Sequence, residues 1–530
     1  MEMPAFMRTA VAALLVSQAL SAQNGVGEQN DLIRDDGTTL SIQNRSLSIG
    51  TTLPTGAPAG TLGTSVIYSP NGALNVKAFG AKCDGKTDDL TSFNAAVAAG
   101  PHIYVPPGVC ALSGALTFHQ ALGPSIIGAG GLQSTLLFTG ATDGIVFASK
   151  WAVWNATIRD LGVRTSDASG GKAISFAHTT WSTSNVLDNV VIDRMGPGRW
   201  AYGLWLSNVE VSAFSSVTVR GATVGVHLQN NSNANTFTAP DIAGGVTGFE
   251  TVGSEDSTIH GGAIQSSSKA LVSIGAGSGL SIIGMHLEGA SPTVNGIVVA
   301  GGIARVSDCI ATNHFANFVQ TDGGGSIHLQ NNTVTVNAAG ALVYASGASS
   351  SGGSPSRVVG NSLSNSNNAG GVGVVIAGGF SFEVSGNTIK TKGMGTTLQL
   401  GTAERVATHP LIIGNALAPG AGGYCITPMN ASGVIAEGNE FFGVEMDHVF
   451  STSVRAYGSG NFLHNGTPYP ISAVAIAAFS ALPICDLHHE GAQQGVTDST
   501  TTTWGAVIAG GGVSHVLAYC DGTNWTVMAK

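Results

Sequence analysis

Along most of the chain, apolar and polar residues alternate with period two, in short runs. "FEVSGNTIK" (residues 382–390) is typical of them. Such alternation puts successive side chains on opposite faces of a β-strand, and the Gly and Asn between runs supply tight turns. One motif recurs: Gly-Asn, any residue, then an apolar residue. It reads GNSL (Gly360–Leu363), GNTI (Gly386–Ile389), GNAL (Gly414–Leu417), GNEF (Gly438–Phe441) and GNFL (Gly460–Leu463). NNTV (Asn331–Val334) and SDCI (Ser307–Ile310) are weaker forms. From Asn332 through Asn361, Asn387, Asn415 and Asn439 to Asn461, successive gaps are 29, 26, 28, 24 and 22 residues. Upstream, GMHL, GGAI and APDI fit the same frame with Asn replaced. A repeat of this length, filled by short strands, predicts one coil of a β-solenoid. Leucine-rich repeats share the length, but their Leu consensus is absent. Asn tolerates the left-handed backbone of a turn. Its amide both donates and accepts, so stacked Asn residues can bond along a ladder. The expected fold is all-β, a parallel β-helix. Some 15 coils about 4.8 Å apart give a stack on the order of 70 Å.

One stretch departs from period two. In "LTSFNAAVAA" (residues 90–99), Leu90, Phe93 and Val97 share a helical face. Thr87, Asp88 and Asp89 precede it and are expected to bond its free N–H groups. A helix here would cap the open strand edge of the first coil. The expected organisation is a signal peptide at 1–22, a polar arm at 23–66, the β-helix at 67–470, a linker at 471–481 and a small β-module at 482–530. The signal peptide rests on Arg8, the apolar run from Ala10 to Val16, and small residues near position 22. A short terminal helix that stays on the protein is the other reading.

Composition narrows the function. Of 530 residues, 43% are hydrophobic and only 10% charged, with 75 Gly, which suits a turn-rich β fold and not a disordered chain. The net charge is −10 and no basic run is present. Nucleic acid and anionic membrane surfaces are therefore disfavoured as partners. The six cysteines lack the paired spacing of a zinc site, and no metal or other cofactor is expected. In an exported chain, Cys83 with Cys110 and Cys485 with Cys520 are the expected disulfides, each joining segments near one end of a domain. Cys309 and Cys425 are expected to be buried and free.

"NVKAFGAKCDGKTDDLTSFNAAVAAGPHIYVPPGVC", close to the start of the repeats, resembles the opening of the pectate-lyase-like superfamily of right-handed β-helices. That superfamily includes polygalacturonase-like glycoside hydrolases and phage tailspike depolymerases. The close match covers residues 74–110; beyond it only the coil rhythm matches. The resemblance implies an extracellular or capsular polysaccharide as partner, cleaved by hydrolysis or β-elimination. A non-catalytic receptor binder or adhesin is the alternative. Residues 482–530 resemble small C-terminal modules of phage tail fibres. By that likeness the protein is a homotrimer, secreted or carried on a virion tail. The paired aspartates, Gly-His-Gly and Arg-x-Lys of polygalacturonases have no counterpart in the coils. Asp-Asp occurs only at Asp35–Asp36 and Asp88–Asp89.

Candidate chemistry follows from the repeat frame. With Ile242, Ile264 and Leu287 inward, Asp241, Gln265, His286 and Glu288 face outward on three successive coils, and His260 does so after inward Ile259. Asp241 and Glu288 are the acid–base candidates, two coils apart. His260 or His286 is the base if the reaction is a lyase's. The plain alternative is a solvated polar face. A second cluster, Glu437, Glu440, Glu445, Asp447 and His448, could bind a cation or a sugar, or be surface loop. Trp200, Tyr202 and Trp205 in "RWAYGLW" could stack on sugar rings or pack a coil corner. His488, His489 and Glu490 lack zinc-protease spacing and are taken as solvated.

Overall fold

The computed structural model describes residues 73–530 apart from 149–152, 323, 347–354, 445–448, 450–455, 459, 467–475 and 488–489. It also describes an antiparallel ladder of Arg34–Asp35 with Leu40–Ser41. The proposed signal peptide and the rest of the arm lie outside the described residues. From Leu74 to Leu463 the chain is a parallel β-helix of about 15 coils. A representative coil runs through Thr236–Thr238, Asp241–Ala243 and Thr247–Val252 before Ser257–His260 begins the next. These three strands lie in what we call the first, second and third sheets. The first two merge where Thr157–Thr165 and Val186–Arg194 run unbroken through both.

Each inward residue stacks on its counterpart one coil away. Ile242 pairs in register with Ile264, and Ile264 with Leu287, all essentially inaccessible. Phe118, Phe147 and Phe176 form a similar file, with ring centroids 5.2 and 4.5 Å apart. Packing of this kind is cheap only if every coil keeps the same phase, because a one-residue slip would turn the whole file outward.

The turn between first and second sheets is held by the asparagine ladder. Asn332, Asn361, Asn387, Asn415 and Asn439 each donate Nδ2 to Oδ1 of the next, at 2.9–3.0 Å, ending on Asn461. The same Oδ1 accepts the backbone N–H of the preceding Asn. The second Nδ2 hydrogen goes to a strand carbonyl, Val358 for Asn387 and Val384 for Asn415. Asn361, Asn387, Asn415 and Asn439 thus use both donors and two acceptor positions, and all six residues are almost fully buried. The left-handed backbone expected at Asn falls one residue earlier, on Gly360, Gly386, Gly414, Gly438 and Gly460, with φ between 61° and 70°. Upstream a different ladder works between the third and first sheets: Asn185 N–H donates to Ser212 Oγ, and Ser212 N–H to Asn235 Oδ1.

Helix α1 (Leu90–Ala99) covers the first coil with Phe93, Ala96 and Val97. Its three preceding aspartates divide the work differently from expectation. Asp88 Oδ1 accepts the Leu90 N–H at 3.1 Å, and its carboxylate also ties Ser113. Asp89, 1% exposed, points away from the helix and accepts Lys82 N–H and Cys83 N–H at 2.7 and 2.9 Å. Asp84 closes its own loop on Lys86 and Thr87, whose backbone N–H groups hold its pKa down to about 2. Cys83 is joined to Cys110, and Cys485 to Cys520, while Cys309 and Cys425 are free and buried. The C-terminal module has its own core of Val496, Ile508, Val516, Trp525 and Val527. Among the described residues no helix is long and apolar enough to cross a membrane.

Asn387→Ala removes the acceptor of two buried Asn361 N–H groups. We expect a loss on the order of 3 kcal/mol in unfolding free energy, read from denaturant midpoints. An unchanged midpoint would show that the ladder adds nothing beyond strand stacking.

Candidate functional site

The residues singled out in the sequence fall on three faces. Asp241, Gln265, His286 and Glu288 lie on the second sheet. Register puts Asp241 in one column with Ala263 and His286, and Ala243, Gln265 and Glu288 in the other. Two coils and two residues separate the carboxylates, about 12 Å between backbones. Asp241 is held by Arg220 at 2.8 Å, and Glu288 accepts from Asn313 Nδ2 at 2.6 Å. His286 Nε2 lies 3.1 Å from Thr312 Oγ1. His260 is exposed on the first sheet, between Thr238 and Ile283. Of the second cluster, Glu437 ends a first-sheet strand, and Glu440 starts a second-sheet strand, where it meets His464 Nδ1 at 2.7 Å. Glu445, Asp447 and His448 lie outside the described residues, as do His488 and His489.

The aromatic cluster divides. Trp200 is fully buried, its Nε1 donating to the Asp193 carbonyl and its ring edge-on to Phe138. As a sugar platform it is corrected: it is core. Tyr202 and Trp205 are half-exposed on the outer face of the third sheet, rings at 80° with centroids 4.4 Å apart. Between them, Gly203 lies so close to the next coil that a Cβ there would sit 2.5 Å from the Gly225 carbonyl oxygen. Gly225 and Gly248 repeat this close approach on the next coils.

Trp205 heads a column that the sequence reading missed. In register it is followed by His227, Glu250 and Ser273. The His227 ring stacks on Trp205, centroids 4.3 Å apart and 24° from parallel, and Tyr202 closes one side at 5.3 Å. Lys172 Nζ lies 4.4 Å from the centre of the Trp205 ring, a cation–π contact. His227 Nδ1 meets Glu250 Oε2 at 2.7 Å, and Nε2 lies 3.3 Å from Gln229 Oε1. The bond from His227 holds the Glu250 carboxyl below its ordinary range, against the opposing effect of burial. A carboxylate on Nδ1 fixes the orientation of this nearly buried ring. With Gln229 Oε1 facing it, Nε2 donates; with the Gln229 amide turned to present its NH2, Nε2 is the acceptor. The spacings, 22 residues from Trp205 to His227 and 23 to Glu250, equal those from Ile242 to Ile264 to Leu287. That coincidence is the signal by which the column could have been found. Cys83, Asp89 and Cys110 also converge, but the two sulfurs are bonded to each other and the Asp89 oxygens are taken.

Residues 73–298 match the family described as rhamnogalacturonase A/epimerase, pectate lyase-like. No curated protein matches the chain in sequence. Among solved structures, the A-module of a mannuronan C-5 epimerase from Azotobacter vinelandii is 15% identical, with a TM-score of 0.48, covering 73% of this chain and 98% of its own. The catalytic unit of a GH87 alpha-1,3-glucanase from Streptomyces thermodiastaticus is 12% identical, TM-score 0.37, covering 78% and 68%. Tailspike protein 3 of bacteriophage CBA120 is 13% identical, TM-score 0.40, covering 86% and 69%. Residues 73–298, which hold the aspartate-rich opening, the capping helix and the first coils, thus match the pectate-lyase-like family, and the chain from Leu74 to Leu463 is a parallel β-helix.

Proposed function

We propose that the protein is carbohydrate-active, binding an acidic extracellular polysaccharide across the outer face of the third sheet and cutting it by β-elimination. The observation that carries this reading is the Trp205–His227–Glu250 column flanked by Tyr202 and Lys172. An aromatic platform stacks on a sugar's apolar face. His227 Nε2, oriented by Glu250, takes the proton next to a uronate carboxylate as general base. Lys172 offsets the charge that develops on that carboxylate. The electron pair left behind expels the glycosidic oxygen, which takes up a proton, and leaves an unsaturated sugar end. Tyr202, whose ring lies 5.3 Å from that of His227, offers a hydroxyl for that proton. Hydrolysis by two carboxylates fits less well, since the outward positions in register beside Glu250 supply no second acid. The family's name, which includes an epimerase, supports a reaction on uronic sugars. Two disulfides suit an extracellular setting. The homotrimer is a further proposal, checked by sedimentation mass.

Digestion of a panel of acidic polysaccharides, followed by absorbance of unsaturated ends, tests the site. His227→Asn and Glu250→Gln should lower kcat at least a hundredfold, and Trp205→Ala should chiefly raise KM. Asp241→Asn and Glu288→Gln should leave turnover within a few-fold. The reverse pattern would move the chemistry to the second sheet. Tight glycan binding with no product from any substrate would leave a pure binder.

The lowered pKa of Glu250 has a further consequence. A carboxyl depressed in the folded state adds stability above its unfolded pKa, and that stability is lost as pH falls through the folded value. His227→Asn removes the main cause of the depression, so acid unfolding should begin at a higher pH than in the parent protein. An acid-unfolding curve followed by circular dichroism reads this directly.

A further inference from the structure

A second column of chemistry stands on the first sheet. In register across five coils, its outward positions hold Ser281, Arg305, His328, Arg357 and Glu383. With Gln330 they line a cleft of about 520 Å³. In a chain of net charge −10 with 21 Lys and Arg in all, two guanidiniums around one imidazole reverse the local sign. Both arginines are exposed, two coils apart, or about 10 Å along the stack. Arg357 Nε lies 3.4 Å from Glu383 Oε2, one of its five donors. Among the described residues no carboxylate pairs with Arg305. His328 lies between them. Burial first, and then the charge of Arg305, hold it below the usual imidazole range. The Pro355 carbonyl bonds the ring, and Nε2 is covered and without a partner. The groups that face the cleft are therefore the two guanidiniums, with Ser281 and Gln330 beside them.

We propose that this column is a second glycan site, an anchor for a carboxylated sugar chain lying along the stack. One uronate carboxylate sits on Arg305 and another on Arg357, each matched by the planar fork of a guanidinium. The site lies on a different sheet from Trp205, His227 and Glu250, and neither cation is a base, so it holds the polymer without cutting it. It shares with the proposed function only the acidic character of the ligand.

The probe is tetragalacturonate, titrated calorimetrically into His227→Asn protein so that turnover cannot interfere, with neutral maltotetraose as control. We expect tetragalacturonate binding that weakens with salt and falls at least tenfold in Arg305→Gln and in Arg357→Gln. Arg305→Lys should recover part of it. Both positions are exposed, so the thermal midpoint should not move, and that measurement separates lost binding from lost folding. Equal binding of maltotetraose, or unchanged affinity in the double arginine variant, overturns the anchor. Loss in Trp205→Ala with retention in Arg305→Gln places all binding on the third sheet, and also overturns it. Arginine-dependent binding with no product from any polysaccharide sustains the anchor while sinking the elimination reading.

Discussion

Everything in this structure depends on coils that stay in phase. A parallel stack gains by laying each inward side chain on its counterpart, and loses the whole file if one coil slips by a residue. The buried asparagines enforce the phase. An Asn out of step would leave its own amide, the amide before it and a strand carbonyl unbonded in a dry interior, where each deficit is costly. Apolar packing alone would tolerate several registers; the amide file admits one. Outward residues inherit that order without taking part in it. Trp205, His227 and Glu250 meet because the interior beneath them, Leu204, Val226 and Phe249, is in register.

The two outward columns show how such a surface divides its chemistry. On the third sheet a histidine, only 6% exposed, has an aromatic ring above, a carboxylate on one nitrogen and a side-chain amide beside the other. On the first sheet a histidine sits between arginines and is held by a carbonyl. The same side chain is paired with a carboxylate in one place and set between two guanidiniums in the other.

Much of the fold could be read from the chain. The Gly-Asn spacing, the helix of residues 90–99 and the alternation through Ile242, Ile264 and Leu287 each rest on local rules that nothing elsewhere overrides. Side-chain detail was less legible. Asp89 looked like a helix cap and instead binds the loop before it, where its carboxylate accepts the Lys82 and Cys83 N–H groups. Trp200 and Trp205 stand in one short motif, yet only Trp205 reaches solvent, since residues five apart on a strand face opposite ways. His227 and Glu250 carry no motif. Their meaning lies in a spacing of one coil, visible only once coil length is applied to strands that lack the asparagine.

The amide file also has a sense. Every Asn-to-Asn bond in it runs from Nδ2 to the Oδ1 of the next higher Asn, so these bond dipoles add head to tail, as peptide dipoles do in a helix. Polarisation along the file strengthens each bond by its neighbours. The stack therefore carries an electrical polarity set by side chains and independent of its net charge. Whole coils can be added or deleted in evolution without disturbing that polarity. A coil that lacks the amide ends the file and begins a new electrostatic segment.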